Sequence, residues 1–369
     1  MLIGLVAAIT QYSKLPISLP EGSVSAKWLQ AGFYEVGSFN VNEQDETRKI
    51  EGAKQTKLNR RYIGKLWFPM IEEGLVAPGQ HPLIIYQHRY GGSYSEFTRQ
   101  AHLLASKGYL VLAVNSPTPQ TEEKLPEFTS HLGAYALDTR FLLDTASRWN
   151  ESPETLFYSR VDLNRIGIVG RSLGGVNALV SSFHPRLKDK RIALTATIGG
   201  PSQMFSRAFF KPEGKKPLLA ISATGDSVVN YSHNALELID KHHKTWLIGI
   251  KTGSHTGFSE NAKGFGWLTK SDILTCKNLN TLLASDAWAK GLDENEQDLI
   301  SSHTINDCDA LTSNKLKAVE QLHLSQLGLT AFIEMHFADT QFERNAATDF
   351  LSRTVAIENP ALQYTAPIK

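Results

Sequence analysis

Residues 170–175, Gly-Arg-Ser-Leu-Gly-Gly, carry the strongest indication of chemistry in the sequence. The pattern G-x-S-x-G is typical of a nucleophilic serine on a sharp turn between a strand and a helix, where small residues must flank the strained serine. An apolar strand is predicted over 166–169 and a helix over 173–183, as this turn requires. These two elements disfavour the alternative of a chance match in a glycine-rich loop. We therefore predict that Ser172 is a nucleophile.

A serine nucleophile also needs an acid and a base, which follow it in the order Asp or Glu, then His. Asp226 comes directly after a strand predicted over 217–222, and His255 comes after one predicted over 245–250. Both therefore lie at the carboxyl edge of the sheet, where α/β enzymes place their sites. Asp226 has the alternative of a turn residue or helix cap, and His255 that of a surface loop residue. The spacing favours the catalytic roles.

The loop over 87–93 follows a buried strand predicted over 83–86 and has the sequence Gln-His-Arg-Tyr-Gly-Gly-Ser. A hydrolase of this kind needs a second backbone N–H from this loop to bind the oxyanion. We predict the N–H groups of Tyr90 and Leu173 as the two donors. His88 is expected to support the loop by hydrogen bonding and not to act as a base.

Strands and helices alternate along most of the chain. Strands are predicted over 62–68 (closed by Pro69), 83–86, 109–114, 165–169, 192–198, 217–222 and 245–250. Helices are predicted over 96–106, 132–149, 173–183, 232–241, 316–336 and 342–353. Short connections and repeated βα units predict an α/β fold with a mainly parallel twisted sheet and helices on both faces.

Two segments lie outside this alternation. Residues 1–31 are predicted to be an apolar stub or linker, a possible leader remnant, because 1–10 are apolar and too short to span a membrane, while the first lysine is Lys14. Residues 32–369 form one predicted domain with a polar insertion at about 264–314. The N-terminus leaves the compartment open between cytoplasmic and exported.

The cysteines and the composition exclude several classes of protein. Cys276 and Cys308 form no zinc pattern, and we expect two unrelated buried thiols in preference to a disulfide. The formal net charge of +1 over 369 residues lacks the basic excess of a nucleic-acid binder. With 41% hydrophobic and 20% charged residues, the chain is globular, and no membrane span is expected. We expect no metal site. The oligomeric state is open.

Several segments resemble the α/β-hydrolase superfamily. They are 32–37 (Gly-Phe-Tyr-Glu-Val-Gly), 82–88 (Pro-Leu-Ile-Ile-Tyr-Gln-His) with the glycine pair at 91–92, 105–113, 138–144 and 164–167. The resemblance covers roughly 32–260 and the last helices, and it is nearest to predicted dienelactone hydrolases and the platelet-activating-factor acetylhydrolase group. It implies a cofactor-independent serine hydrolase with Ser172 as nucleophile, His255 as base and Asp226 as acid. Dienelactone hydrolases proper use a cysteine nucleophile, but neither cysteine here is near the turn.

Two positions depart from the family pattern. Arg89 stands where the family usually has glycine after the histidine, and Arg171 stands where it often has His or Tyr before the nucleophile. If the loop needs a positive φ at position 89, its oxyanion site is remodelled. Both arginines are candidates to bind an anionic substrate group. We favour the alternative that they are solvated or tied to carboxylates such as Asp138 or Asp144.

The sequence thus predicts an esterase that forms an acyl-enzyme on a small-molecule or lipid ester. The connection over 199–216 is short and leaves no room for a large lid, which favours short acyl groups unless 264–314 folds over the site. Phe258, Phe265 and Trp267 are candidates for an acyl pocket, with the core as their alternative. Two other functions stay open, a phospholipid short-acyl hydrolase and a hydrolase-fold protein that binds a ligand without turnover.

Overall fold

A ten-stranded sheet forms the centre of the protein in its computed structural model. The structure describes residues 19, 21–51, 57–72, 74–117, 132–260 and 316–367, with 272, 273, 275–277, 280, 281, 299 and 308 between the last two ranges. The strands are β1 Glu35–Glu51, β2 Lys57–Glu72, β3 Leu75–Val76, β4 His81–Gln87, β5 Leu110–Asn115, β6 Val161–Arg171, β7 Ile192–Ile198, β8 Leu218–Ala223, β9 Thr245–Ile250 and β10 Leu362–Thr365. Their order across the sheet is β1-β2-β5-β4-β6-β7-β8-β9-β10, with β3 paired to β2.

Helices pack on both faces of this sheet. They are α1 Val24–Trp28, α2 Thr98–Ser106, α3 Leu132–Glu151, α4 Leu173–Phe183, α5 Arg207–Phe210, α6 Glu237–Lys241, α7 Ala318–Phe337, α8 Gln341–Asp349 and α9 Val355–Glu358. Short 3₁₀ turns cover Tyr94–Phe97, Lys211–Glu213 and Thr256–Phe258, and π-helical turns cover Ser232–Leu236 and Phe350–Thr354.

Six neighbouring strands, in the sheet order β5-β4-β6-β7-β8-β9, run parallel and form the buried middle of the sheet. Successive side chains of β4 point to opposite faces. Ile84 and Tyr86 join the core cluster under α2 and α7, whereas Leu83 and Ile85 join the cluster under α3 and α4. This two-sided burial explains the unbroken apolar runs in the sequence. The predicted α/β fold with a mainly parallel sheet is confirmed.

The edge of the sheet that the first two strands form differs from the prediction in two respects. The long strand β1, to which the sequence analysis assigned no element, pairs antiparallel with β2. The strand β2 also continues through Pro69 to Glu72, so its predicted end at Pro69 is wrong. The carbonyl of Pro69 points away from β1, because it accepts a hydrogen bond from the N–H of Ala77. The ring nitrogen of Pro69 faces the same side of the strand. On that side the pairing of β2 with β5 has already ended at Trp67. No N–H is needed there, and the strand tolerates proline.

The C-terminal segment closes the other side of the sheet. The strand β10, which the sequence analysis missed, pairs antiparallel with β9. The short helix α1 packs on this part of the chain, because the Glu358 carboxylate accepts the N–H groups of Val24 and Ser25, and Trp28 stacks on Phe350. The N- and C-terminal parts of the described chain are thereby joined.

The expectation of two unpaired cysteines is wrong. Cys276 and Cys308 form a disulfide within the predicted insertion, and both side chains are buried against Val228 and Val229. Their Cα atoms lie 5.7 Å apart at a sequence separation of 32, so folding brings them within the range of a disulfide. Among the described residues, no helix combines the length and the apolar sequence that crossing a membrane requires.

Candidate active site

Ser172 lies on a strained turn between the end of β6 and the start of α4. Its φ of 50° and ψ of −122° are conformations that non-glycine residues rarely adopt. A Cβ atom at Gly170 would overlap the carbonyl oxygen of Gly174, and one at Gly175 would lie 2.8 Å from the Cα of Gly200. The glycines of the motif are therefore required by close backbone contacts. The turn leaves the Ser172 side chain partly exposed at the carboxyl edge of the sheet.

His255 connects Ser172 to Asp226. Its Nε2 lies 2.9 Å from the Ser172 Oγ, and its Nδ1 lies 2.8 Å from Oδ2 of Asp226. The carboxylate can only accept, so Nδ1 carries the hydrogen and Nε2 is free to accept the serine proton. Asp226 and His255 are 3% and 6% exposed, which strengthens the interaction by excluding water. This arrangement can activate a hydroxyl for attack on a carbonyl.

Asp226 also organises its own loop. Its second oxygen, Oδ1, accepts the backbone N–H groups of Val228 and Val229 at 2.9 and 2.7 Å. The alternative of a turn residue and the proposed catalytic role are thus compatible, since each uses a different oxygen. The two N–H bonds fix the carboxylate orientation.

The loop that carries His255 is held by two residues that the sequence analysis missed. Gln321, at the start of α7 and fully buried, accepts the N–H of Ser254 at 3.0 Å and donates to its carbonyl at 2.7 Å. Asp272 accepts the N–H groups of His255 and Thr256 at 3.1 and 3.2 Å. For Gln321 the sequence contains a signal, because a glutamine among the apolar residues of a predicted helix must find hydrogen-bond partners when it is buried. Asp272 lies in the insertion, where no motif points to it.

Phe258 lies behind the base and belongs to the core. It is 5% exposed and joins the cluster that contains Ile198 and Ile250. Gly199, with a φ of 54°, brings the backbone close to both rings, since a Cβ there would lie 3.4 Å from His255 and from Phe258. This placement favours the core alternative for Phe258. The other two aromatic candidates, Phe265 and Trp267, lie outside the described residues.

The predicted oxyanion loop packs directly on the serine turn. A Cβ at Gly174 would overlap the carbonyl oxygen of Gln87 and lie 2.6 Å from that of His88. Leu173 is the first residue of α4, so its N–H is one of those that a helix leaves without an intrahelical partner. Tyr90 lies in a tight turn in which Arg89 accepts the N–H of Gly92 at 3.0 Å. The structure thus brings the segments of both predicted donors to one place, and their roles stay a prediction.

His88 fastens this loop to the neighbouring strand. Its Nδ1 donates to the carbonyl of Arg89 at 2.7 Å, and its Nε2 accepts the N–H of Ser116, just past β5, at 2.9 Å. Burial lowers the pKa of His88, although its bond to Arg89 opposes this. The ring is therefore neutral and fully engaged, as expected for a supporting residue.

Arg89 does not take the conformation reserved for glycine. Among the described residues, the non-glycine residues with positive φ are Ser159, Ser172 and Thr252, and the loop has its positive φ at Gly91 instead. The substitution of arginine at this position is therefore compatible with the backbone.

Both arginines beside the site bind a single buried carboxylate, that of Glu96. Arg89 Nε lies 2.9 Å from its Oε1 and Arg171 Nη1 lies 3.2 Å from its Oε2. Carboxylate pairing was the favoured alternative, but the partners named for it were wrong. Asp138 instead binds Arg48 and Arg60, and Asp144 binds Arg191. Burial lowers the pKa of Arg171, and Glu96 opposes this.

Three other histidines make contacts within their own parts of the fold. His242 bonds Thr245 at the start of β9, His184 accepts the N–H groups of Arg186 and Leu187, and His233 pairs with Glu237. Within the described ranges, no group of three or more His, Cys, Asp or Glu side chains is arranged to hold a metal ion.

Comparisons with known proteins establish the fold. No protein-family model and no curated protein sequence matches the chain. The structure is similar to that of a ferulic acid esterase from Streptomyces cinnamoneus, with a TM-score of 0.56 and 17% sequence identity. The match covers 90% of this chain and 96% of that chain. Together with the strand order and the turn at Ser172, it shows that the protein has the α/β-hydrolase fold.

Proposed function

We propose that the protein is a serine hydrolase that cleaves carboxylic esters without a cofactor, with Ser172, His255 and Asp226 as its catalytic residues. One observation carries the proposal, the continuous hydrogen-bonded series from the strained serine through the histidine to the buried aspartate. Each member lies at the carboxyl edge of the sheet, on the segment that follows its strand. The likeness to a ferulic acid esterase supports ester chemistry on this fold.

In the proposed reaction, the Ser172 Oγ attacks the ester carbonyl while His255 Nε2 takes its proton. The N–H groups of Leu173 and Tyr90 bind the oxyanion, with the N-terminus of α4 adding its dipole. His255 then protonates the leaving alcohol, and an acyl group remains on Ser172. Water attacks this acyl-enzyme with the same histidine as base, which releases the acid and restores the serine.

We infer a preference for small or short-acyl esters from the segment between β7 and β8. This segment is short, and much of it packs in the core, because its residues Phe205, Phe209 and Phe210 are fully buried. It therefore adds no lid above Ser172. The resemblance to dienelactone hydrolases and platelet-activating-factor acetylhydrolases supports the same size class and makes a short-acyl phospholipid the main competing substrate.

The test measures hydrolysis of p-nitrophenyl acetate, butyrate and octanoate, methyl ferulate, and a phospholipid with an acetyl group. The wild type is compared with Ser172→Ala, and Ser147→Ala on α3 is the control. We expect rates that fall with acyl length and decrease by at least about 10,000-fold in Ser172→Ala, because the nucleophile is lost. Faster cleavage of the phospholipid than of every soluble ester would identify the competing substrate.

Labelling with a fluorophosphonate separates an enzyme with a narrow substrate from a protein without turnover. We expect wild type and Ser147→Ala to be labelled and Ser172→Ala to remain unlabelled. A folded wild type that neither hydrolyses any of these esters nor reacts with the probe would contradict the proposal and favour the ligand-binding alternative.

A further inference from the structure

Asp272, 17 residues further along the chain, lies against the proposed base. Its carboxylate receives two backbone N–H groups, from His255 at 3.1 Å and from Thr256 at 3.2 Å, one on each oxygen. The residue is 1% exposed. Because both bonds are made to the backbone of the 3₁₀ turn that begins after His255, the carboxylate fixes where that turn starts.

The segment of Asp272 is also attached to the loop of the proposed acid. Cys276, four residues further along the chain, forms the disulfide with Cys308, and both sulfur-bearing side chains pack on Val228 and Val229. The N–H groups of these same two valines bind Asp226. Asp272 and Cys276 therefore connect one short stretch of chain to both the base loop and the acid loop, and the disulfide joins that stretch to Cys308.

The charge of Asp272 bears on the chemistry as well. The carboxylates that the structure places against His255 are Asp226, on its ring, and Asp272, on its backbone. Burial raises the pKa of Asp272, with Asp226 adding to the rise and His255 opposing it. A buried negative charge near an imidazole favours the protonated ring that forms when the serine attacks.

We propose that Asp272 is a positioning residue for His255, and that the Cys276–Cys308 disulfide holds it in place. The inference rests on the proposed function in assigning His255 as the base. It assigns to these residues of the insertion a part in the reaction, since Asp272 binds the backbone of the base loop and the two cysteines pack on the valines of the acid loop.

The first experiment compares Asp272→Asn with the wild type, using Asp349→Asn on the exposed surface of α8 as the matched control. Asparagine keeps the shape but loses the charge and one acceptor. We expect kcat/KM on p-nitrophenyl acetate to fall about 10- to 100-fold. We also expect the acid limb of its pH profile to move to lower pH, because the protonated ring loses a stabilising charge. Asp349→Asn should match the wild type in both respects.

Two further readouts do not depend on ester turnover. The first is an NMR titration of the His255 ring in the same three proteins, in which only Asp272→Asn should titrate at lower pH. The second is the rate of fluorophosphonate labelling after reduction of the folded wild type, which we expect to fall about 10-fold and to recover on reoxidation. A shifted titration in a protein that cleaves no ester would uphold this inference while the proposed function fails.

The inference is overturned if folded Asp272→Asn titrates like the wild type, even with a lower rate, because the role would then be structural only. It is equally overturned if the reduced wild type is labelled at the oxidised rate. The reduction arm starts from folded protein, so it decides the matter should Asp272→Asn fail to fold.

Discussion

Glu96 neutralises two arginines from different parts of the site, Arg89 of the oxyanion loop and Arg171 next to the nucleophile. Arg171 is buried, and without a counter-charge its guanidinium would be expensive to keep in the interior. Arg89 in turn donates to the carbonyl of Tyr90 at 2.9 Å, so the ion pair extends to the predicted oxyanion donor. The two departures from the family pattern are therefore linked to each other by one carboxylate.

The substitution Glu96→Gln tests this link at the level of a single residue. Because it leaves a buried arginine beside a second cation, we expect the free energy of unfolding to fall by about 3–5 kcal/mol. We also expect kcat/KM to fall, since Arg89 loses its anchor. Urea unfolding and hydrolysis of p-nitrophenyl acetate measure the two effects.

The control for this prediction is Glu43→Gln, which breaks the more exposed pair of Glu43 with Arg148. Exposed pairs contribute little, so a change of under about 1 kcal/mol is expected there. Equal effects of the two substitutions would show that Glu96 has no special role.

At the level of elements, the serine turn and the oxyanion loop approach each other backbone to backbone. Gly174 on α4 and the carbonyl groups that end β4 leave no space for a side chain between them. The first turn of the helix is therefore held against the loop at a fixed distance. Both predicted oxyanion donors depend on this contact.

We predict that Gly174→Ala lowers kcat/KM by about 100-fold or more, the typical cost of losing one oxyanion donor. The added methyl group must push the helix and the loop apart. Gly214→Ala is the matched control, because a Cβ there would meet its nearest atom, the carbonyl oxygen of Lys211, at 3.6 Å. Full activity of folded Gly174→Ala on p-nitrophenyl acetate would exclude this role for the contact.

On the scale of the whole molecule, the base loop is assembled from segments far apart in the chain. Asp226 precedes it, whereas Asp272 and Gln321 follow it in the insertion and in α7. The helix α7 carries Gln321 near its start and Glu334 near its end. The carboxyl group of Glu334 is hydrogen-bonded to Tyr109 and interacts electrostatically with Lys107. Burial raises the pKa of Glu334 to about 7, while Lys107 opposes the rise.

This shift predicts how stability depends on pH. Between about pH 4.5 and 7 the folded protein keeps a proton on Glu334 that the unfolded chain has released. The contribution to stability is therefore fully present below about pH 4.5 and is lost as the pH rises through 7. In Glu334→Gln this loss, up to about 3 kcal/mol, should be absent.

Urea unfolding at pH 4.5, 6 and 8 measures the effect as the difference between the wild type and Glu334→Gln. Glu151→Gln, an exposed carboxyl on α3, serves as the control and should follow the wild type. Parallel pH curves for wild type and Glu334→Gln would contradict the prediction.

Local patterns in the sequence determined the alternating elements and the sheet they form. Buried parallel strands need continuous apolar runs, and a strained serine needs glycines at fixed positions. Both features can therefore be recognised in short segments of the sequence. The same reasoning predicts Ser172, Asp226 and His255, since each follows a predicted strand.

Only the tertiary structure decided what surrounds these residues. Several contacts join residues that have no fixed spacing in the sequence. They are the disulfide between Cys276 and Cys308, the pairing of the two arginines with Glu96 and not with Asp138 or Asp144, and the contacts of Asp272 and Gln321. Proline at position 69 became acceptable because a neighbouring strand had ended. Such contacts depend on distances that arise when the elements pack, and no periodicity or motif in one chain encodes them.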